Sequence, residues 1–362
     1  MSAQVMQSTQ TTRSAQAAQT TLTALPLAEL AVAPAPDRPS ILVLRALGLG
    51  DLLAAVPALR ALRRAFFPYE MVLAAPEELA PVAEATGAVD RLLPAAAPGR
   101  AVPRTLDWPG PPPEIGVDLH GNGQASHRLL RTARPRKVLA FAAQDGPFWR
   151  DGEHERDRWC RFLRWYGIPA DPTDLRLPRP AVPSPAPGAV LVHPGAGAPA
   201  RCWPAERYAA VAAELRARGH RVVVTGGPEE GDLVTEVAKR ADLPETDTFA
   251  GPPAAVGLSG TLPFPALSAL VAGARAVISG DTGIAHLAAA HATPSVTLFG
   301  PVPPAAWGPP DDPRHRVLWH PHEGPGGNPH GQVPDPVLLR IRPDDVLRAM
   351  DELDALPGAR TP

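Results

Sequence analysis

Cysteine is scarce in this chain: Cys160 and Cys202 are the only two among 362 residues. Two thiols make no disulfide framework and, by themselves, no four-ligand zinc site, so a reducing compartment is the simplest setting. Lysine is equally scarce. Only Lys137 and Lys239 interrupt an otherwise all-arginine set of 35 basic residues, a skew that points to nucleotide composition bias more than to function. A positive excess is missing as well, and a net charge of −2 argues against a nucleic-acid footprint. No apolar run approaches the length needed to span a bilayer. The N-terminus lacks the basic start and continuous apolar core of a secretory signal. What is present is 44% hydrophobic and 20% charged residues, the make-up of a globular protein with room for two domains.

Proline is abundant, at 48 residues, and punctuates the chain. Residues 1–38, rich in Gln, Thr, Ala and Pro, read as a disordered extension with room for a short helix over Thr21–Val32. Order begins at Ile41-Leu42-Val43-Leu44, a continuous apolar run suited to a central parallel strand. A glycine-bearing turn, Arg45 to Asp51, leads into a helix expected over Leu52–Phe67, where Pro57 predicts a kink or a late start. A strand at Met71–Ala74, a helix at Pro76–Thr86, a strand at Ile115–Leu119 and a helix at Gln124–Ala133 follow. Strand and helix in alternation predict βαβ units and a doubly wound sheet. Seven prolines between 169 and 187 mark a stiff linker. A second α/β block then repeats the alternation, with strands at Ala189–Val192, Val222–Thr225, Ala276–Ile278 and Ser295–Phe299, and Glu229–Ala241 among its helices. Pro343–Leu356 reads as a closing amphipathic helix. The expected fold class is α/β: two Rossmann-like doubly wound domains, 39–175 and 188–342, joined by a linker at 176–187.

Such a pair binds its ligand in the crevice at the strand C-terminal ends. Around the second domain's Ser279-Gly280-Asp281-Thr282-Gly283-Ile284-Ala285-His286, strand, tight turn and helix follow in order. Thr282 is placed to cap the helix. The first-turn N–H groups suit a diphosphate, and His286, four residues on, shares the face of Thr282. The same pattern also describes a capped core helix with a buried histidine. Gly48-Leu49-Gly50-Asp51 lacks the third glycine of a dinucleotide fingerprint, which leaves a nicotinamide site weakly supported. Asp51 reads either as a helix cap or as a carboxylate that removes a proton from an incoming hydroxyl. Gly195, Ala196 and Gly197 offer backbone N–H groups with little bulk. Arg201 offers a bidentate contact to a diphosphate or a solvated surface charge. Glu229 and Glu230 either accept from ribose hydroxyls or favour a helix N-terminus.

The combination ILVLRALGLGDLLAAVPALRALRRAFF, VDLHGNGQASHRLL, VLVHPGAGAPARCWPAERYAAVAAEL, VVVTGGPEE and ISGDTGIAHLAAAHATPSVTLFGP resembles the heptosyltransferases of glycosyltransferase family 9, over about residues 41–310. The resemblance implies a GT-B fold with the donor bound mainly by the C-terminal domain. It also implies a last helix, within 343–362, that crosses back towards the N-terminal domain. By the same resemblance Asp51 is the catalytic base of an inverting transfer. Asp281, Thr282, Gly283 and His286 match a D-T-G-x-x-H donor motif. Arg201 stands where most members carry lysine before a W-P pair, and Arg45 and Gly50 belong to the first motif near the reaction centre.

The implied chemistry is transfer of heptose or a related sugar from a nucleotide-diphosphate donor to a glycan or lipid-linked acceptor. No cofactor or metal is expected. A nucleotide-sugar epimerase or hydrolase on the same scaffold, and a non-catalytic nucleotide-sugar-binding protein, are the other readings. Lipid-linked acceptors would bring peripheral contact with the inner face of the membrane to an otherwise cytoplasmic protein. The Arg60/Arg63/Arg64 and Arg128/Arg131/Arg134/Arg136 clusters are either lipid contacts or solvated faces.

Overall fold

The computed structural model describes residues 38–143, 145–243, 258–259, 262–324 and 326–357. The extension expected over 1–38, with its short helix, lies outside the described residues but for Arg38.

Continuous apolar runs become central strands because a parallel sheet is covered on both faces. β1 (Ser40–Leu44) is fully buried from Ile41 to Leu44. It lies between β2 (Glu70–Ala75) and β4 (Ile115–Asp118), with β3 (Arg91–Pro94) and β5 (Lys137–Leu139) at the edges, in the order β3-β2-β1-β4-β5. The second sheet repeats the order: β6 (Val190–His193) sits between β7 (Val222–Gly226) and β9 (Ala276–Gly280). β8 (Leu258–Ser259), β10 (Ser295–Leu298) and β11 (His315–Leu318) complete it as β11-β10-β9-β6-β7-β8. All pairings are parallel. Each sheet therefore reverses its winding beside its first strand, at β1/β4 and at β6/β9, and a doubly wound sheet opens its ligand crevice at that reversal.

The helices are α1 (Leu49–Ala65), α2 (Ala80–Ala85), α3 (Gln124–Thr132), α4 (Glu155–Trp165), α5 (Ala205–Ala217), α6 (Gly231–Arg240), α7 (Phe264–Gly273), α8 (Gly283–His291), the short α9 (Pro304–Trp307) and α10 (Pro343–Asp354). α1 starts at Leu49, earlier than expected. The Asp51 carboxylate accepts the Gly48 N–H at 3.1 Å and so closes the first turn, while Pro57 is simply carried in the buried interior. Residues 76–86 hold a 3₁₀ turn and then α2, which restarts around Pro81 in its first turn, where proline's missing N–H costs nothing.

α1 and α8 pack against each other, and one hydrophobic cluster runs across both domains through them. Two glycines allow the approach. A Cβ on Gly283 would stand 3.1 Å from the Leu49 side chain, and one on Gly50 would stand 2.8 Å from His286 Cδ2. The proline-rich segment is tied to the same helix, as Leu177 N–H and the Arg176 guanidinium donate to the Ala290 and Ala289 carbonyls, each at 3.0 Å.

The last helix corrects an expectation. α10 does not cross to the N-terminal domain: Val346, Leu347, Ala349, Met350 and Leu353 are buried in the core of the second sheet, against α5. Arg218, Arg275 and Arg316 of that domain hold Asp351, Asp354 and Glu352 on its outer face. Its amphipathic stripe is satisfied at home.

Candidate active site

The N-terminal wall comes from the turn between β1 and α1. Asp51 is half-buried there, one carboxylate oxygen engaged by the Gly48 N–H. Behind it Arg45 is wholly buried. Its Nε donates to the Asp51 carbonyl at 2.7 Å, a terminal nitrogen to the Leu119 carbonyl, and the other to Glu155 Oε1 at 3.1 Å. Its guanidinium also lies 5.1 Å from the Trp159 ring centre. Every arm of the fork is used, so Arg45 is a strut that fixes Asp51 and not a donor contact. Glu155 also accepts from Trp159 Nε1 at 2.7 Å and pairs with Arg158. Burial works to raise its pKa, but Arg45, Trp159 and Arg158 outweigh it and hold the carboxyl below its usual range. His120, two residues past β4, lies near Arg45 and Asp51. Burial and then the charge of Arg45 push its imidazole down to about 4.

The C-terminal wall is the turn between β9 and α8. Thr282 occupies the N-cap position in extended conformation, but no side-chain hydrogen bond caps the helix. The expected hydroxyl cap is therefore absent, and the first-turn N–H groups keep their capacity for an anion. Arg201 stands beside this turn, one terminal nitrogen 3.4 Å from the Asp281 carbonyl, its Nε buried without a protein partner. His286 and Trp307 make a T-shaped contact, ring centres 5.9 Å apart. Burial, reinforced by Arg156 and His154, pushes its imidazole down to about 3. It is neutral at physiological pH and offers an N–H donor, not a cation.

The glycine loop after β6 departs from expectation in part. Ala196 and Gly197 face a cavity, but Gly195 is buried, and the space over its Cα is filled by the Glu230 carboxylate. Glu230 turns inward to accept the Gly227 N–H at 2.5 Å and approaches His193 Nε2 at 3.8 Å. His193 in turn shares a 3.0 Å hydrogen bond with Thr225. Glu229 is exposed and away from both cavities, because α6 begins only at Gly231 and leaves it on the outer side of the turn.

These walls enclose two adjoining chambers that share Gly50, Thr282 and Gly283. One, about 340 Å³, brings Asp51 together with Arg201, Asp281, His286, Trp307 and His330. The other, about 450 Å³, is more apolar, lined by Val82, Leu262, Phe264 and Ile284 with His193 and Glu230 at its polar side. Seven of the expected site residues thus share the first chamber. Ala196, Gly197 and Glu230 line the second, while Arg45, Gly195 and Glu229 face neither. Among the described residues no group of three or more His, Cys, Asp or Glu side chains could hold a metal ion.

Residues 177–328 match the model of glycosyltransferase family 9 (heptosyltransferase). The chain resembles family 9. Among curated relatives, lipopolysaccharide heptosyltransferase 3 of Escherichia coli is 36% identical over 122 residues, 33% of each chain. Lipooligosaccharide heptosyltransferase 2 of Haemophilus influenzae is 33% identical over 107 residues, 29% of each chain. Each match thus spans about a third of the relative's length. Among solved structures, Escherichia coli ADP-heptose lipopolysaccharide heptosyltransferase II superposes with a TM-score of 0.65 at 20% identity, over 87% of this chain and 98% of that one. A family 9 glycosyltransferase from Veillonella parvula gives 0.65 at 20% identity, over 89% and 99%. These likenesses show the GT-B fold.

The family 9 match covers the second sheet with Arg201, Glu230 and the Asp281–His286 turn, and leaves Asp51 and Arg45 outside it. Reasoning from sequence missed Glu155, Trp307 and His330. Glu155 carried a faint signal as an acid among the tryptophans of 149–165, and the other two carried none, since only the folded chain brings them to the Asp281–His286 turn.

Proposed function

We propose that the chain is an inverting glycosyltransferase of the family 9 type, moving heptose or a related sugar from a nucleotide-diphosphate donor to a glycan or glycolipid acceptor. One observation carries the reading: a single chamber sets the Asp51 carboxylate of one domain across from Arg201, the uncapped α8 first turn and His286 of the other. The apolar chamber suits the nucleoside, the shared Thr282–Gly283 edge the diphosphate, and the Asp51 chamber the sugar and acceptor.

In the reaction, the acceptor hydroxyl oxygen attacks the anomeric carbon as the bond from that carbon to the phosphate oxygen breaks. The electron pair stays on the diphosphate and the hydroxyl proton passes to Asp51. Arg201, the α8 N–H groups and the neutral His286 donate to the departing oxygens. No cofactor takes part in these steps. Arginine in place of lysine gives a planar fork where a point charge is usual in the family.

A thermal-shift screen of the purified protein against nucleoside diphosphates and nucleotide sugars tests the reading, since a true donor stabilises the fold it binds. ADP-heptose is the first probe, because relatives are named for heptose transfer. Arg201→Gln is expected to weaken ADP binding by roughly ten- to a hundred-fold, the worth of a charge-assisted contact. Unchanged affinity in that variant would remove Arg201 from the diphosphate site. Donor cleavage without transfer would favour a hydrolase, and unchanged bound donor a binding protein.

A cytoplasmic protein touching the inner membrane face follows from a lipid-linked acceptor. Arg60 and Arg64 are engaged by Asp174, and Arg63 by Asp90, so that cluster is not a lipid patch. Arg128, Arg131 and Arg134 are exposed together at α3. No described helix is long and apolar enough to cross a membrane. Flotation with phosphatidylglycerol vesicles, lost on reversing these three charges and absent with phosphatidylcholine, is the expected result. Flotation that survives the reversal would exclude this face.

A further inference from the structure

His330 belongs to a Gly/Pro/His segment that no part of the proposed chemistry uses, yet its side chain lines the same chamber as Asp51 and Arg201. The segment is built to hold it there. Asn328 accepts the His330 N–H on its side-chain oxygen at 3.0 Å and the Gly331 N–H on its carbonyl at 3.1 Å, and Gln332 Nε2 donates to the His330 carbonyl at 3.2 Å. Both backbone polar groups of His330 are thereby satisfied. The turn is then sewn to the residue before Arg201: Ala200 N–H donates to the Gly331 carbonyl at 3.0 Å, and Asp335 N–H to the Ala200 carbonyl at 3.1 Å. Asp335, itself buried, closes the far end by accepting the Val337 N–H at 2.9 Å. A long proline- and glycine-rich stretch would otherwise pay heavily in chain entropy to keep one side chain in place.

The imidazole at the tip hydrogen-bonds to no other described residue and is exposed to the chamber. Trp307 stands on the same wall, its ring roughly perpendicular to that of His286. An aromatic ring beside a hydrogen-bonding imidazole is a pairing that recognises a sugar, the first meeting its apolar face and the second its hydroxyls. His330 lines the Asp51 chamber and not the apolar one, so it is placed for the transferred sugar and not for the nucleoside.

We infer that His330 is a specificity-determining residue that hydrogen-bonds hydroxyls of the transferred sugar, with Trp307 as the neighbouring apolar wall. The inference rests on the transferase reading. It is tested on the full chain by titrating free ADP and ADP-heptose separately against wild type, His330→Ala and His330→Gln. The expected result is a tenfold or greater loss of ADP-heptose affinity in His330→Ala on the order of one lost hydrogen bond, an intermediate loss in His330→Gln, and ADP affinity within about twofold of wild type throughout. The preference for ADP-heptose over ADP-glucose should narrow in the same order. Equal loss for ADP and ADP-heptose, or no loss for either, overturns the inference. A wild type that binds no nucleoside diphosphate or nucleotide sugar of the screen overturns the transferase reading and this assignment with it.

Discussion

Asp51→Asn should lower the rate of sugar transfer by about a hundred- to ten-thousand-fold, the usual worth of a positioned general base, while leaving the melting temperature and donor affinity near wild type. The choice of asparagine matters because Asp51 has two jobs. It lines the reaction chamber, and it also accepts the Gly48 N–H that closes the first turn of α1. Asparagine keeps an oxygen for that N–H and removes the basicity, so it separates base from cap. Asp51→Ala removes both and should add a loss of about 1 kcal/mol in stability from the missing cap. Single-turnover transfer with saturating donor reads the chemical step directly. An Asp51→Asn enzyme within about tenfold of wild type would show that another group takes the proton.

Arg45→Met should be the most destabilising of the single changes considered. The side chain is wholly buried and supplies hydrogen bonds to the Asp51 and Leu119 carbonyls and to Glu155. Removing it leaves two carbonyls short of a donor and a buried carboxylate short of a cation. Stranding one partner of a buried pair costs about 3–5 kcal/mol, which in a chain of this size lowers the melting temperature by roughly five degrees. Adding Glu155→Gln to Arg45→Met should recover part of the loss, because the stranded charge is then gone, although Arg158 keeps only its carbonyl partners, Arg150 and Glu153. Calorimetry on the three proteins decides it. A single variant melting within about two degrees of wild type would mean that Arg45 is not the strut described. Transfer activity should also fall in Arg45→Met, through misplacement of Asp51, and more steeply in kcat than in donor affinity.

Much of the architecture was legible because its signals are local. Ile41–Leu44, Val190–Val192 and Val222–Val224 are unbroken apolar runs, which only strands covered on both faces require. The glycine turns after the first strand, after β6 and after β9 follow those runs at once, so the crevice at the strand ends could be located before any packing was known. The Asp281-Thr282-Gly283 turn and Asp51 were found in this way, and the structure brings them to one chamber.

What was misread depends on contacts far apart in the chain. Arg45 looks like any arginine after a strand, and its burial is set by Glu155, 110 residues on. Gly195 reads as an open backbone donor until the loop folds the Glu230 carboxylate over its Cα. The amphipathic stripe of α10 says that the helix must dock, but only the folded chain buries it in the core of the second sheet against α5, with Arg218, Arg275 and Arg316 paired to its carboxylates.

The sequence by itself determined two doubly wound sheets and the turns at which their crevices open, because strand period, apolar run length and glycine placement act within a few residues. Only the tertiary structure decided that the two crevices are one site. That depends on α1 and α8 meeting at Gly50 and Gly283, a close approach that the absence of two Cβ atoms permits and that no local pattern specifies.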